Sequence, residues 1–126
     1  LQRMDTFEGI AILTTNQKEA MDTAIRRRIG FHVAFELPDV GDRELLWETY
    51  IPRRAPITGE LDLKGLAQVA ELSGANIRNA VLRACLAAAN AGTGLTQDFL
   101  LAAAERECAE LGKLVRRAAP PVGSLV

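Results

Sequence analysis

Aromatic residues are scarce in this sequence, 5% of 126 residues, and there are only two cysteines and one histidine. A core built from such a chain has to be aliphatic, and alanine supplies much of it. A structural zinc centre needs about four ligands at close spacing, so Cys85, Cys108 and His32 cannot make one unaided. The two cysteines lie far apart, each among apolar residues at helical spacing. They read as small core residues in a reducing compartment rather than as a disulfide. Long apolar runs are missing as well: nothing approaches the roughly 20 residues that cross a bilayer, and no signal-peptide pattern opens the chain. A cytoplasmic protein with no membrane partner is expected. Charge of one sign is also lacking. Fifteen basic residues oppose sixteen acidic ones, a net charge of -1, so no global field draws the chain to nucleic acid or anionic lipid.

What is present is ordinary globular text, 48% hydrophobic and 25% charged. The length suits one compact domain and excludes a multidomain enzyme for this polypeptide as it stands. The basic residues are mostly arginine, bunched at Arg26-Arg27-Arg28, Arg53-Arg54 and Arg116-Arg117. Guanidinium suits phosphate contact and interface pairing, although a GC-rich genome gives the same bias without function.

The text changes character once, near residue 38. Leu1-Gln2-Arg3-Met4 reads as the end of a helix whose start lies upstream. Ile10 to Thr15 is a β-branched apolar run after Gly9, the pattern of a strand buried on both faces of a parallel sheet. Ala20 to Ile29 fits a short helix, and Phe31 to Leu37 fits a second strand stopped by Pro38. Two parallel strands cannot hide their faces and edges alone, so their sheet is expected to have further strands outside this chain.

From Asp39 onward the pattern is helical. Asp39 or Asp42 can cap a helix through Leu45, Leu46 and Tyr50. Residues 53–60 form a loop around Pro52, Pro56 and Gly59. Asp62 can cap a helix from Leu63 to Leu72, and Ser73-Gly74 opens a longer one to about Ala91, broken by Gly92 and Gly94. Thr96 can cap the last helix, with Leu100, Ala103, Ala104, Cys108, Leu111 and Leu114 on its buried side. The predicted class is therefore mainly α. A four-helix module over residues 39–117 follows a remnant of a parallel α/β core, residues 1–38, and precedes a flexible tail, residues 118–126.

These residues resemble a family. Leu1-Gln2-Arg3-Met4-Asp5-Thr6-Phe7-Glu8-Gly9 followed by Ile10-Ala11-Ile12-Leu13-Thr14-Thr15-Asn16 is similar to the text after the Walker B segment of AAA+ ATPases. Met21 to Ile29, then a strand, then Leu37-Pro38-Asp39, resembles that family's arginine-finger helix, next strand and start of the lid. Ser73-Gly74-Ala75-Asn76-Ile77-Arg78-Asn79-Ala80 resembles the start of the sensor 2 helix. The resemblance covers residues 1 to about 110 in order, and it implies a four-helix AAA+ lid behind the last two strands of a nucleotide-binding core.

By this resemblance Asn16 is the sensor 1 residue, a polar group at a strand tip that orients the attacking water and bonds the transferred phosphoryl group. A plain strand-ending turn is the alternative. Arg27, then Arg28, are the arginine-finger candidates, reaching the nucleotide of a neighbouring subunit. The Pro-Gly insert that commonly separates two arginines in the family is absent, which leaves Arg26, Arg27 and Arg28 open, beside a solvated basic helix end. Gly74 and Ala75 match the small residues that face base and ribose. Arg78 could turn toward the phosphates, although the family's sensor 2 arginine falls nearer the position of Asn76 and an exposed helix arginine fits equally well.

The 126 residues contain no Gly-rich P-loop ending in Gly-Lys-Ser/Thr, and no apolar strand ending in Asp-Glu. The resemblance therefore assigns ATP and magnesium to an intact parent, a ring-forming motor that remodels a protein partner. This chain alone is expected neither to hold ATP tightly nor to hydrolyse it. Two other readings stand beside it: a helical protein-interaction module, and an AAA+ ATPase acting on nucleic acid. The near-neutral charge and the lack of an aromatic platform oppose the latter.

Overall fold

A computed structural model describes residues 7–17 and 21–112. They fall into two separately packed units, divided between Phe35 and Glu36. The expected helix end at Leu1 to Met4, the tail over 118–126 and Leu114 lie outside the described residues.

The first unit contains one helix, α1, Thr23–Arg28. Asp22 caps it, its carboxylate accepting from the backbone N–H of Ala24 at 3.2 Å, so the helix begins later than the expected Ala20. The two predicted strands are not formed among the described residues. The physical reason is the one that made a larger sheet necessary: a strand exists only through its neighbours' hydrogen bonds. The apolar side chains that such a sheet would bury stand in solvent, with Ile10, Phe31 and Phe35 respectively 90%, 92% and 95% exposed.

The second unit is four helices: α2 (Val40–Tyr50), α3 (Leu63–Val69), α4 (Gly74–Ala91) and α5 (Gln97–Glu110). Each begins on a side-chain cap. Asp39 and Asp42 form a reciprocal capping box, Asp62 accepts from the N–H of Gly65, Ser73 from Asn76 and Thr96 from Phe99. These are the capping residues that the sequence predicts. The third helix ends at Val69 rather than Leu72. Ala70 turns to extended backbone there, and Leu72, outside the helix, still buries its side chain completely. The last helix departs at one position: Leu111 follows its final residue, next to Gly112 at φ +65°, and is left 45% exposed instead of buried.

The core forms where α4 packs on α5 and on α2, and α2 on α3. Trp47, Leu66, Leu72, Ile77, Leu95, Leu100 and Cys108 are its fully buried large side chains, with Ala67, Ala80, Ala84 and Ala104 letting the backbones approach. One tryptophan thus supplies the aromatic mass of an otherwise aliphatic interior, in keeping with the composition. The loop after α2 docks on the α4–α5 connection. Leu95 N–H donates to the Pro56 carbonyl at 2.7 Å and Thr58 N–H to the Leu95 carbonyl at 3.0 Å, a short parallel bridge. Backbone comes so close there that a Cβ on Gly94 would stand 2.9 Å from the Pro56 carbonyl oxygen.

Gly92 ends α4 in the left-handed region, φ +67°. Its N–H donates to the Ala89 carbonyl and that of Thr93 to the Ala88 carbonyl, the paired bonds of a Schellman cap. Open space surrounds the position, so Gly92→Ala costs only the backbone conformation, about 1 kcal/mol. Urea unfolding of the two proteins is expected to show that difference in midpoint with an unchanged slope.

Candidate functional site

Asn16, Arg27 and Arg28 lie in the first unit. Asn16 is exposed at the centre of a small turn in which Thr15 Oγ1 accepts the N–H of Gln17 at 3.0 Å. A polar side chain at such a turn stands clear of the backbone, the disposition needed to reach a water or a phosphate. Arg26, Arg27 and Arg28 form the last turn of α1 and are all exposed. Guanidinium groups there suit the negative end of the helix dipole and stand where an incoming phosphate could meet them.

Gly74, Ala75 and Arg78 lie in the second unit, at the start of α4. Gly74 is half-buried, and a Cβ there would sit 3.7 Å from the Tyr50 hydroxyl and 3.8 Å from Leu46, so the first turn lies close against α2. Ala75 and Arg78 are exposed. In a capped helix the N–H groups of the first two positions keep no intrahelical acceptor, and at this end Gly74 and Ala75 hold those positions. Small side chains there leave the donors open to an anion.

Asn76 is committed elsewhere. Its Nδ2 donates to Glu107 Oε2 at 3.2 Å and its Oδ1 accepts from Ser73 Oγ at 2.5 Å. The side chain that the sequence resemblance leads one to expect nearest a sensor 2 position is thus engaged within the helical unit. Arg78 is the only cation in the first two turns of α4.

Two buried charges were missed in the sequence. Glu107, on α5, faces α4, where Arg83 Nε stands 3.0 Å from its Oε1 in an ion pair that falls outside hydrogen-bond alignment. Arg83 Nη2 also reaches Glu110 at 3.1 Å, so one arginine of α4 joins two acids of α5. Arg43, on α2, donates from Nε to the Ala67 carbonyl at 2.8 Å and from Nη1 to the Pro38 carbonyl at 2.7 Å. It ties the last turn of α3 to the residues preceding α2 and satisfies a carbonyl that a helix end leaves without a partner. Helical spacing carried the signal: Arg43 is four residues before Trp47, and Glu107 continues the stripe of Leu100, Ala103 and Ala104. Charge is so seldom buried that both positions read as surface.

Neither cysteine is in a disulfide, as expected. Cys108 is fully buried. Cys85 is half-buried on α4, and desolvation pushes its thiol above the ordinary range. Since the thiolate is the reactive form, Cys85 should resist a thiol reagent near neutral pH, while burial shields Cys108 from the reagent. Cys85 is expected to react first as pH rises and Cys108 only with unfolding; Cys108 labelling ahead of Cys85 in the native protein would contradict the packing. Among the described residues no group of histidine, cysteine and carboxylate side chains could hold a metal ion, and no helix is long and apolar enough to cross a membrane.

Comparison with known proteins gives a partial likeness. No protein-family model matches the chain. A stretch of 78 residues, 61% of the chain, is 35% identical to a protein of Methanothermobacter thermautotrophicus described as a 26S proteasome regulatory subunit homolog. The chain is thus similar to a protein of that class over more than half its own length, while the match spans only 21% of the relative.

Proposed function

We propose that this chain is the carboxyl-terminal piece of an AAA+ ATPase module, comprising the sensor 1 segment, the arginine-finger helix and the helical lid. The intact parent binds ATP with magnesium, hydrolyses it in a ring of like subunits and uses the cycle to remodel a protein partner. In this reading Asn16 orients the attacking water, Arg27 or Arg28 reaches the nucleotide of the neighbouring subunit, and Gly74 and Ala75 seat the base and ribose. Arg78 faces the phosphates. Residues 1–38 complete the core, residues 39–117 form the lid, and residues 118–126 are a tail.

The observation that carries the reading is the start of α4. A serine-capped helix opening Gly74-Ala75-Asn76-Ile77-Arg78 occurs at the family's distance after Asn16, the arginine helix and Leu37-Pro38-Asp39, in a four-helix unit of the expected composition. The 35% identity to a proteasome regulatory subunit homolog gives further support. With no phosphate cradle and no acidic pair for magnesium in its own sequence, the 126-residue chain is inactive by itself.

Sequencing the encoding gene tests the reading. A P-loop about 60 to 100 residues before Leu1 is expected in the same frame. A frame that starts at Leu1 would overturn the ATPase reading in favour of a helical interaction module.

A further inference from the structure

Two backbone carbonyls hold Arg43, a cation of which only 6% is exposed. Its Nε donates to the Ala67 carbonyl at 2.8 Å and its Nη1 to the Pro38 carbonyl at 2.7 Å, the short distances of charge-assisted bonds. Among the described residues no carboxylate forms an ion pair with it. A charge this deep is unfavourable unless its donors are met, so the two carbonyls supply the compensation.

The acceptors belong to different segments. Pro38 lies near the start of the second unit, which opens at Glu36, so the chain arriving from the first unit enters beside it. Ala67 is in the last turn of α3, a helix of 7 residues, where a carbonyl has no intrahelical donor left. Guanidinium is planar and holds its donors in a fixed fork, so it cannot follow one carbonyl without leaving the other. Only Ala70, Glu71 and Leu72 separate Val69 from Ser73, the cap on which α4 and its Gly74-Ala75 start depend.

We propose that Arg43 is a latch that makes two local events one: Pro38 in its seat and the last turn of α3 closed. Displacing the segment before α2 removes one acceptor and leaves a charged N–H buried without a partner, which favours withdrawal of the guanidinium from Ala67 as well. Movement where the chain enters thereby loosens α3 and reaches the residue that caps α4. Short helices gain little from their own hydrogen bonds, so α3 can open while α4 and α5 stay closed. The inference draws on the four-helix unit alone and does not depend on the ATPase reading.

Amide hydrogen exchange of the 126-residue chain, read by NMR, tests the latch through a double-mutant cycle. Pro38→Gly keeps the carbonyl but frees the backbone that carries it. With Arg43 in place, this change is expected to speed exchange at Ala67, Gln68 and Val69 by about threefold or more, with the α4 and α5 amides unchanged. Arg43→Met retains a long apolar side chain without donors. In that background Pro38→Gly should leave the α3 rates where Arg43→Met alone puts them. Arg43→Lys, whose single ammonium cannot span both carbonyls, gives the same cycle if the methionine variant does not fold. No response of α3 to Pro38→Gly, an equal response with and without the guanidinium, or a parallel rise across α4 and α5 would overturn the proposal. The last of these would make Arg43 a general stabiliser of the unit and nothing more.

Discussion

Trp47→Ala is expected to remove about 3–5 kcal/mol from the stability of the helical unit, the largest loss from any single truncation in this chain. Trp47 is 1% exposed at the middle of α2, the helix that packs on both α3 and α4. It belongs to one buried cluster with Leu66, Ala67, Ile77 and Ala80. Alanines cannot extend into the space an indole leaves, so the cavity persists and its lining loses contacts on one side. Domains of this size are stable by about 5–15 kcal/mol, which places the variant near the edge of folding. Thermal unfolding should show the midpoint falling by roughly 4–8 °C for each kcal/mol lost. A loss below about 1 kcal/mol would mean that α2 is not held against α3 and α4 as described.

Under the proposed function, the second large effect is on turnover by a longer polypeptide that carries these residues. Arg27→Ala in the polypeptide of the whole reading frame is expected to lower kcat by about three to five orders of magnitude, the contribution of an arginine supplied across a subunit boundary. Arg26, Arg27 and Arg28 end a six-residue helix and are all exposed, so removing one leaves no cavity. Arg28→Ala is the companion variant that decides which arginine acts. Asn16→Ala should lower kcat with little change in nucleotide affinity, because its bond to the transferring group forms during the reaction. Mixing Arg27→Ala subunits with subunits that lack the P-loop lysine should restore part of the turnover, since each supplies what the other lacks. A loss under about tenfold for all three arginines would contradict the assignment.

The caps were the most legible part of this fold. Asp39, Asp62, Ser73 and Thr96 each announce a helix because a short polar side chain satisfies one of its first N–H groups. Gly92 announces an end because only glycine takes its backbone angle freely. Leu66, Ile77 and Leu100 were readable as core from helical period. The predicted strands did not form: Ile10 to Thr15 and Phe31 to Leu37 have the apolar pattern, but a strand needs a hydrogen-bonded neighbour and none pairs with them among the described residues. Arg43 and Glu107 carried a helical-spacing signal but not their burial, because burial of charge is decided by partners far along the chain, Ala67 for one and Asn76 and Arg83 for the other. Of the candidate region, the start of α4 and its Ser73 cap could be read. The engagement of Asn76 by Glu107 could not, since the two are 31 residues apart in sequence.

The most direct measurement is ATP turnover by the purified 126-residue chain beside turnover by the polypeptide of the whole reading frame that contains it. No turnover above background is expected from the chain, and magnesium-dependent turnover is expected from the longer polypeptide, lost in its Asn16→Ala and Arg27→Ala variants. Hydrolysis by the chain alone in proportion to its concentration, or a longer polypeptide that hydrolyses nothing, would contradict the proposed function.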